Sequence, residues 1–298
     1  MKRPLLIFIT LAFGLSWAAV LPIWFGGKLG SPLLMGLATL MMFTPTAGVL
    51  GVWAVSRTPF KEWARQTGLT LGERKGRTGA MMLAAWLGTP FLIFLAIGVS
   101  AAAGLVSLDL GKLSLLRTTL EARGTELPAD LGSVAVLQIA VGILIGPLLN
   151  AIPTLGEEWG WRGWLLPRLV SANGVFAGLL LSGAIWGVWH APLTLLGYNY
   201  PRLGSWAALF FIGFCVLAGV LIGWLRLRTG SVWPAVVAHG SLNAVAPAAM
   251  LLGDAAAPPN EVLVGVTGLV GWVLLALACA ALLRFSPVRP PQPAPLAD

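Results

Sequence analysis

The sequence is poor in charge and rich in apolar residues. Charged residues make up 10% of the 298 residues and apolar residues 57%, and the mean hydropathy is +0.86. A soluble domain carries about 25% charged residues. The shortage of charge therefore excludes an ordinary soluble domain and indicates an integral membrane protein.

Cysteine is scarce as well. Cys215 and Cys279 fall in separate apolar stretches, so neither a structural disulfide nor metal ligation by cysteine is expected. The net charge of +8 is divided among short segments between the apolar stretches. No soluble basic domain is available to hold DNA or RNA, so we predict no nucleic-acid partner. We assign the positive charge mostly to membrane topology, with a further contribution from attraction to anionic lipids of the bilayer.

Long apolar stretches recur along the chain. About 20 apolar residues cross a hydrocarbon core as a helix, and spanning segments must satisfy their own backbone hydrogen bonds. The sequence therefore predicts an all-α, polytopic membrane helix bundle with the active site inside the bundle. About eight transmembrane helices are expected, at roughly 4–26, 31–55, 79–106, 135–156, 174–197, 205–225, 231–253 and 262–283.

Basic residues favour one orientation of this bundle. With a cytoplasmic N-terminus, 14 of the 19 lysines and arginines fall in inside segments, as in most membrane proteins. We therefore predict that both termini are cytoplasmic, in a bacterial plasma membrane. The first apolar run exceeds a signal core of about 7–15 residues and is read as a retained helix. One transmembrane domain is expected over 1–285, followed by a proline-rich disordered tail at 286–298.

Ionisable residues within the apolar stretches are few and clustered. The chain has only two histidines, His190 and His239, and the only carboxylates between residues 131 and 253 are Glu157 and Glu158. Because ionisable groups are costly in hydrocarbon, their default interpretation is functional. The cluster predicts a buried reaction centre.

The first part of this cluster is Glu-Glu-Trp-Gly-Trp-Arg at the cytoplasmic end of the fourth stretch. On a helix, Glu158 and Arg162 are i,i+4 neighbours and can pair. Glu157 then faces a different direction and, partly desolvated, suits a general base. The alternative is a solvated helix end at which the acids and the arginine stabilise each other at the interface.

The other two parts are Trp186-x-x-x-His190 and His239-x-x-x-Asn243. Trp186 and His190 share a helix face, so the indole can form the wall of a pocket beside the imidazole. His239 and Asn243 also share a face, and both can donate hydrogen bonds to one developing oxyanion. Asn243 is expected to point inward. The alternative for both pairs is interhelical hydrogen bonding that only stabilises the bundle.

The three parts must also reach the same depth in the membrane. His190 lies far along the fifth stretch, whereas Glu157 would lie near the cytoplasmic surface if the fourth helix ended at residue 156. Convergence requires different helix boundaries, a tilted helix, or a fourth helix that continues through Trp164, and we expect the last of these.

Read in order, Glu-Glu-x-x-x-Arg, Trp-x-x-x-His and His-x-x-x-Asn resemble the CAAX-protease and bacteriocin-processing family. This group is also called the CPBP or Abi family of intramembrane metalloproteases and is related to the CAAX prenyl endopeptidases. The match covers residues 157–243; each motif alone is common, but all three in this order and spacing are hard to obtain by chance. The family more often has Phe at the position of Trp186, a conservative change in the pocket wall.

The resemblance implies an intramembrane endopeptidase that hydrolyses a peptide bond in a membrane-associated substrate; prenylated CAAX proteins are the family's best-known targets. Glu157 would activate water, with His190 sharing that task. His239 and Asn243 would form the oxyanion hole. Three further residues would support them: Glu158 and Arg162 by holding the first motif in place, and Trp186 as the pocket wall.

Metal use is left open by the residues. Glu157, His190 and His239 could supply three ligands to a divalent metal such as zinc and leave a fourth position for water. The chain has no His-Glu-x-x-His motif, however, and a histidine that donates to an oxyanion is unavailable as a ligand. The residues permit a zinc ion without requiring one.

Two other classes of membrane protein bury Glu and His. A proton-coupled transporter usually distributes its ionisable groups along a path and often shows internal symmetry, whereas this chain clusters them. A haem or metal-binding membrane protein could use two histidines as axial ligands but would not need Glu157, Arg162 and Asn243. We expect the purified protein to show no Soret band in its absorption spectrum; a Soret band would favour the haem protein.

Overall fold

The computed structural model describes residues 2–288 and is built of helices. Helix makes up 75% of the structure, and no β-strand occurs within the described residues. The predicted all-α fold class is therefore confirmed. Residues 289–298, which form most of the predicted disordered tail, lie outside the described range.

The α-helices follow one another along the chain with short connections. They are α1 (Lys2–Phe25), α2 (Leu34–Met41), α3 (Thr44–Ser56), α4 (Phe60–Gln66), α5 (Lys75–Ala102), α6 (Ser114–Ala122), α7 (Leu131–Leu144), α8 (Gly146–Leu149), α9 (Ala151–Glu158), α10 (Leu166–Asn173), α11 (Val175–Trp189), α12 (Ala191–Thr194), α13 (Ala207–Thr229), α14 (Trp233–Met250) and α15 (Leu269–Phe285). A π-helix, Trp159–Leu165, joins α9 to α10.

Several of these helices are long and apolar enough to cross a membrane. Within residues 2–288, four segments meet both conditions: Arg3–Phe25, Leu34–Ser56, Lys75–Ala102 and Pro201–Thr229. Shorter apolar helices are Leu131–Leu144, Val175–Trp189 and Leu269–Phe285. The chain is thus a polytopic helical membrane protein, and the number of eight spans stays a prediction.

The fourth predicted span is wrong as a single continuous helix. Instead of one helix over 135–156, the chain forms α7, the single turn α8 and α9. Pro147 lies in the first turn of α8, and Pro153 lies near the start of α9. A proline has no N–H for the helical ladder and disturbs the preceding turn. Both breaks therefore occur just before a proline that lies among the first residues of the next helix.

The second and fifth predicted spans are interrupted for the same reason. The stretch 31–55 divides into α2 and α3 just before Pro45. The stretch 174–197 divides at His190, two residues before Pro192, where α11 ends and α12 begins. His190 therefore lies at a helix end, where its backbone leaves the regular ladder.

The expected continuation of the fourth helix is confirmed. The chain stays helical from α9 through the π-helix into α10 and ends at Asn173, where Gly174 follows with a φ of 79°. The helical path therefore passes through Trp164.

The described chain divides into two compact units. The first comprises residues 2–82, 152–236 and 279–288, and the second comprises Leu83–Ala151 and Val237–Ala278. A single domain over 1–285 stays a prediction.

In the first unit, α11 and α13 approach closely through small residues. A methyl group added at Gly183 would lie 2.7 Å from the Cys215 carbonyl oxygen, and one added at Gly187 would lie 2.7 Å from the Ile212 Cα. One added at Gly219 would lie 2.8 Å from the Gly183 Cα. Small residues four apart permit close backbone contact between membrane helices, and here they bring two helices of this unit together.

In the second unit, small residues permit α14 to pack closely against a neighbouring segment. A methyl group at Gly240 would lie 3.0 Å from the Pro147 carbonyl oxygen, and Gly146 faces the side chain of Ala244. The helix that carries His239 therefore packs directly against α8.

A short helix, α6, lies in the loop between α5 and α7. It places Leu116 in an apolar cluster with Leu113 and Leu131. Asp130 caps α7 by accepting a hydrogen bond from the Ser133 backbone N–H. Hydrogen bonds donated by the Ser133 hydroxyl and backbone N–H lower the pKa of Asp130 below its usual value.

We predict that Gly183→Ala destabilises the protein, since the added methyl group would overlap backbone atoms of α13. Overpacking of this kind costs about 1–3 kcal/mol. The measurement is the unfolding midpoint of the detergent-solubilised chain. Gly98→Ala is the matched control, because a methyl group there meets no atom within 4 Å. Equal midpoints for the two variants would contradict the packing argument.

Candidate active site

Both glutamates of the first motif are buried at the end of α9. Glu157 is 2% exposed and Glu158 is fully buried. The π-helix that follows them is buried along its whole length. The alternative of a solvated helix end is therefore excluded for this pair of carboxylates.

Glu158 and Arg162 form the predicted ion pair. The Arg162 Nη1 atom donates to Glu158 Oε1 over 2.8 Å, and both side chains are fully buried. The Arg162 Nε and Nη2 atoms have no hydrogen-bond partner among the described residues. The guanidinium instead stacks on the Trp186 ring, with Cζ 4.2 Å from the ring centroid, a contact that is strongest where water is excluded.

Trp186 also contacts Glu157 directly. Its indole Nε1–H donates a hydrogen bond to Glu157 Oε2 over 2.7 Å, and the donor and acceptor are both buried. The expectation that Trp186 forms a wall is therefore incomplete, because the indole has a polar contact that a Phe at this position could not make. A hydrogen bond to a carboxylate is about twice as strong as one between neutral groups.

His190 lies on the other side of Trp186. The two rings are in edge contact, with centroids 5.4 Å apart, as their spacing predicted. The His190 Nδ1 atom is 2.8 Å from the Trp186 carbonyl oxygen. Since a carbonyl can only accept, Nδ1 carries the proton, and in the neutral ring Nε2 is the basic nitrogen. This tautomer suits a proton acceptor or a metal ligand.

The π-helix was not predicted. Its residues pack tightly against neighbouring backbone: a methyl group at Gly163 would lie 2.6 Å from the Thr67 carbonyl oxygen, and Gly160 lies against Pro45. π-Helical turns are rare and occur frequently at functional sites. Here the turn begins directly after Glu158 and contains Arg162, so it sets the direction in which the guanidinium points.

The third motif lies on α14, in the second unit. His239 is buried, at 4% exposure, as the sequence predicted. Asn243 is exposed, and the expectation that it points inward is not met.

Two aromatic residues around His190 were missed by the sequence analysis. The Trp189 ring centroid is 4.7 Å from that of His190, and the Phe211 centroid is 4.8 Å away. Trp189 is adjacent in sequence and was available as a signal. Phe211 is on α13, and its contact follows from the packing of α11 on α13.

The possible metal ligands belong to different units. Glu157 and His190 are in the first unit and His239 is in the second. Within residues 2–288, no three side chains of His, Cys, Asp and Glu lie close enough together to hold a metal ion. Zinc stays a prediction, and no step of the reaction proposed for this chain depends on it.

Comparison with known proteins covers this region of the chain. Residues 133–245 match the family described as Type II CAAX prenyl endopeptidase Rce1-like. The sequence is 30% identical over 92 residues to CAAX prenyl protease 2 of Methanococcus maripaludis, a stretch that covers 29% of this chain and 34% of that protein. Residues 133–245 of this chain are therefore similar to the CAAX prenyl endopeptidases.

The CAAX protease match includes every predicted site residue, from Glu157 in the first motif to Asn243 in the third. The matched stretch spans about a third (34%) of the length of the curated relative. The similarity to this family therefore lies in the region that holds the predicted site residues.

We predict that breaking the buried ion pair destabilises the protein strongly. Glu158→Gln or Arg162→Met leaves an uncompensated buried charge, at a cost of about 3–5 kcal/mol. The double variant, which removes both charges, should recover most of the loss. The measurement is the free energy of unfolding in detergent.

The control is the exposed pair of Arg65 and Glu62, whose side chains are 71% and 48% exposed. Removing an exposed pair changes stability by about 0–1 kcal/mol. If the double variant were as unstable as either single variant, uncompensated charge would not be the cause.

Proposed function

We propose that this chain is an intramembrane endopeptidase that uses Glu157 and His190 to activate water against a peptide bond. The observation that carries the proposal is that one buried tryptophan contacts both residues. The Trp186 indole donates a hydrogen bond to Glu157 over 2.7 Å, and the Trp186 carbonyl oxygen lies 2.8 Å from His190 Nδ1. A carboxylate and an imidazole are both suited to general-base chemistry.

The reaction needs no protein nucleophile. The water oxygen bonds to the carbonyl carbon of the peptide while Glu157, assisted by the Nε2 atom of His190, accepts the water proton. The C–N bond then breaks, and the proton passes to the leaving amine nitrogen. For His239 and Asn243 we retain the role that the resemblance implies, which is donation to the oxyanion.

The proposed substrate is a membrane-associated protein or peptide, of which a prenylated CAAX sequence is one form. Two observations support this choice: the name of the relative from Methanococcus maripaludis, CAAX prenyl protease 2, and the helices of membrane-spanning length. On the distribution of basic residues, we propose that both termini are cytoplasmic; the membrane proposed is a bacterial plasma membrane. The family match favours this function over a transporter or a haem protein.

Zinc is the remaining cofactor proposal. Glu157 and the Nε2 atom of His190 have the chemistry of metal ligands, and a bound zinc ion would acidify water. The chain's own residues would still orient the water and accept its proton.

We predict that Glu157→Gln abolishes proteolysis in cells. Glutamine keeps the size of the side chain and an acceptor oxygen for Trp186, but it cannot accept the water proton. The measurement compares all protein termini in cells that express the wild type or the variant, and it works whatever the substrate is. New termini should appear with the wild type and disappear with the variant.

The control is Glu62→Gln, since Glu62 is an exposed residue on α4 and its variant should give the wild-type termini. Identical termini for wild type and Glu157→Gln, with both proteins folded and abundant, would remove the main support for a protease. A farnesylated CAAX peptide and the same peptide without the lipid would then distinguish a prenyl-dependent enzyme from a general one.

A further inference from the structure

Trp186 contacts three of the predicted site residues at once. Its indole Nε1–H donates to Glu157 over 2.7 Å, its ring face carries the Arg162 guanidinium at 4.2 Å, and its carbonyl accepts from His190 Nδ1 over 2.8 Å. The side chain is 2% exposed. These contacts use the edge, the face and the backbone of one residue, so each constrains the orientation of the others.

We propose that Trp186 is a positioning residue, whose indole N–H holds the Glu157 carboxylate in the orientation needed to activate water. The proposal rests on the proposed function of Glu157 as the base. It assigns Trp186 more than the role of a pocket wall, and the residue acts through Glu157 without touching the substrate.

The orientation of the indole is itself set by a chain of contacts. Arg162 is held at one end by Glu158, over 2.8 Å, and lies on the Trp186 face at the other. Gly219 lies beside this stack: a methyl group there would be in ordinary contact with Arg162 Nη2, at 3.4 Å, and would overlap the Gly183 Cα, at 2.8 Å. Because the stack holds the plane of the ring, the N–H at its edge stays in that plane, where Glu157 accepts its hydrogen bond.

This arrangement gives the second glutamate and the arginine a role in the site. Glu158 fixes Arg162, Arg162 fixes the plane of the Trp186 ring, and Trp186 fixes Glu157. The first motif thus contains one residue, Glu157, that is oriented by the other two. Glu158 and Arg162 act on it through Trp186, which lies on another helix.

The test is a double-mutant cycle between Trp186 and Glu157. Trp186→Phe keeps a ring under Arg162 and removes the donor; it should lower kcat about 10- to 100-fold, the range for a hydrogen bond to a charged group, with KM changed by less than about 3-fold. Glu157→Asp withdraws the carboxylate from the indole. In that background Trp186→Phe should lower kcat by less than about 3-fold, since the contact is already lost.

Trp189→Phe is the matched control. Trp189 is on the same helix, is equally buried and contacts His190, but its Nε1–H is 3.2 Å from the Ala12 carbonyl oxygen and from Thr44 Oγ1. The Trp189→Phe substitution should change kcat by the same factor in the wild-type chain and in the Glu157→Asp background, whether that factor is large or small. A purely structural role of Trp186 would give that additive behaviour too.

A second variant excludes a folding artefact. Benzothienylalanine at position 186 keeps the two-ring shape and replaces only the N–H by sulfur, so it should reproduce the loss of kcat at an unchanged unfolding midpoint. The assay uses the full chain in detergent and the substrate identified by the termini comparison. Wild-type kcat with benzothienylalanine, or an additive cycle, would overturn the proposal.

The failure of this inference and that of the proposed function can be distinguished. If no cleavage depends on Glu157, both are overturned. If cleavage depends on Glu157 while the Trp186 cycle is additive, only the positioning role is overturned.

Discussion

The ion pair of Glu158 and Arg162 is the contact on which the rest of the site depends. Both side chains are fully buried, and each charge alone would cost several kcal/mol to keep out of water. Neutralisation by a partner at 2.8 Å makes the pair tolerable. In this ion pair one planar face of the Arg162 guanidinium remains available, and the Trp186 ring stacks on that face.

Close backbone packing makes room for this contact. The guanidinium lies beside Gly219, and Gly219 in turn lies against Gly183. Larger side chains at these positions would separate α11 from α13 and change the distance between Trp186 and Arg162. The π-helix contributes from the other side, since its wider turn determines where Arg162 leaves the backbone. Stability and site geometry therefore depend on the same few small residues.

The contacts predicted from the sequence are those made within one helix. The Glu158–Arg162 pair and the Trp186–His190 contact follow from i,i+4 spacing, and the three motifs lie in the stretch that is similar to the CAAX prenyl endopeptidases. The Trp186–Glu157 hydrogen bond could not be predicted, because its partners are 29 residues apart and the direction of an indole N–H depends on packing. The π-helix has no sequence signature of comparable strength. Prolines in the sequence favour helix breaks, but the predicted spans were based on hydropathy. Hydropathy joined α7, α8 and α9 into a single span.

The two adjacent glutamates make different contacts. Arg162 forms a buried ion pair with Glu158 over 2.8 Å, whereas Glu157 accepts a hydrogen bond from the Trp186 indole over 2.7 Å. Because the Arg162 guanidinium also stacks on the Trp186 ring, the same cation stabilises one carboxylate directly and is connected to the other through the indole.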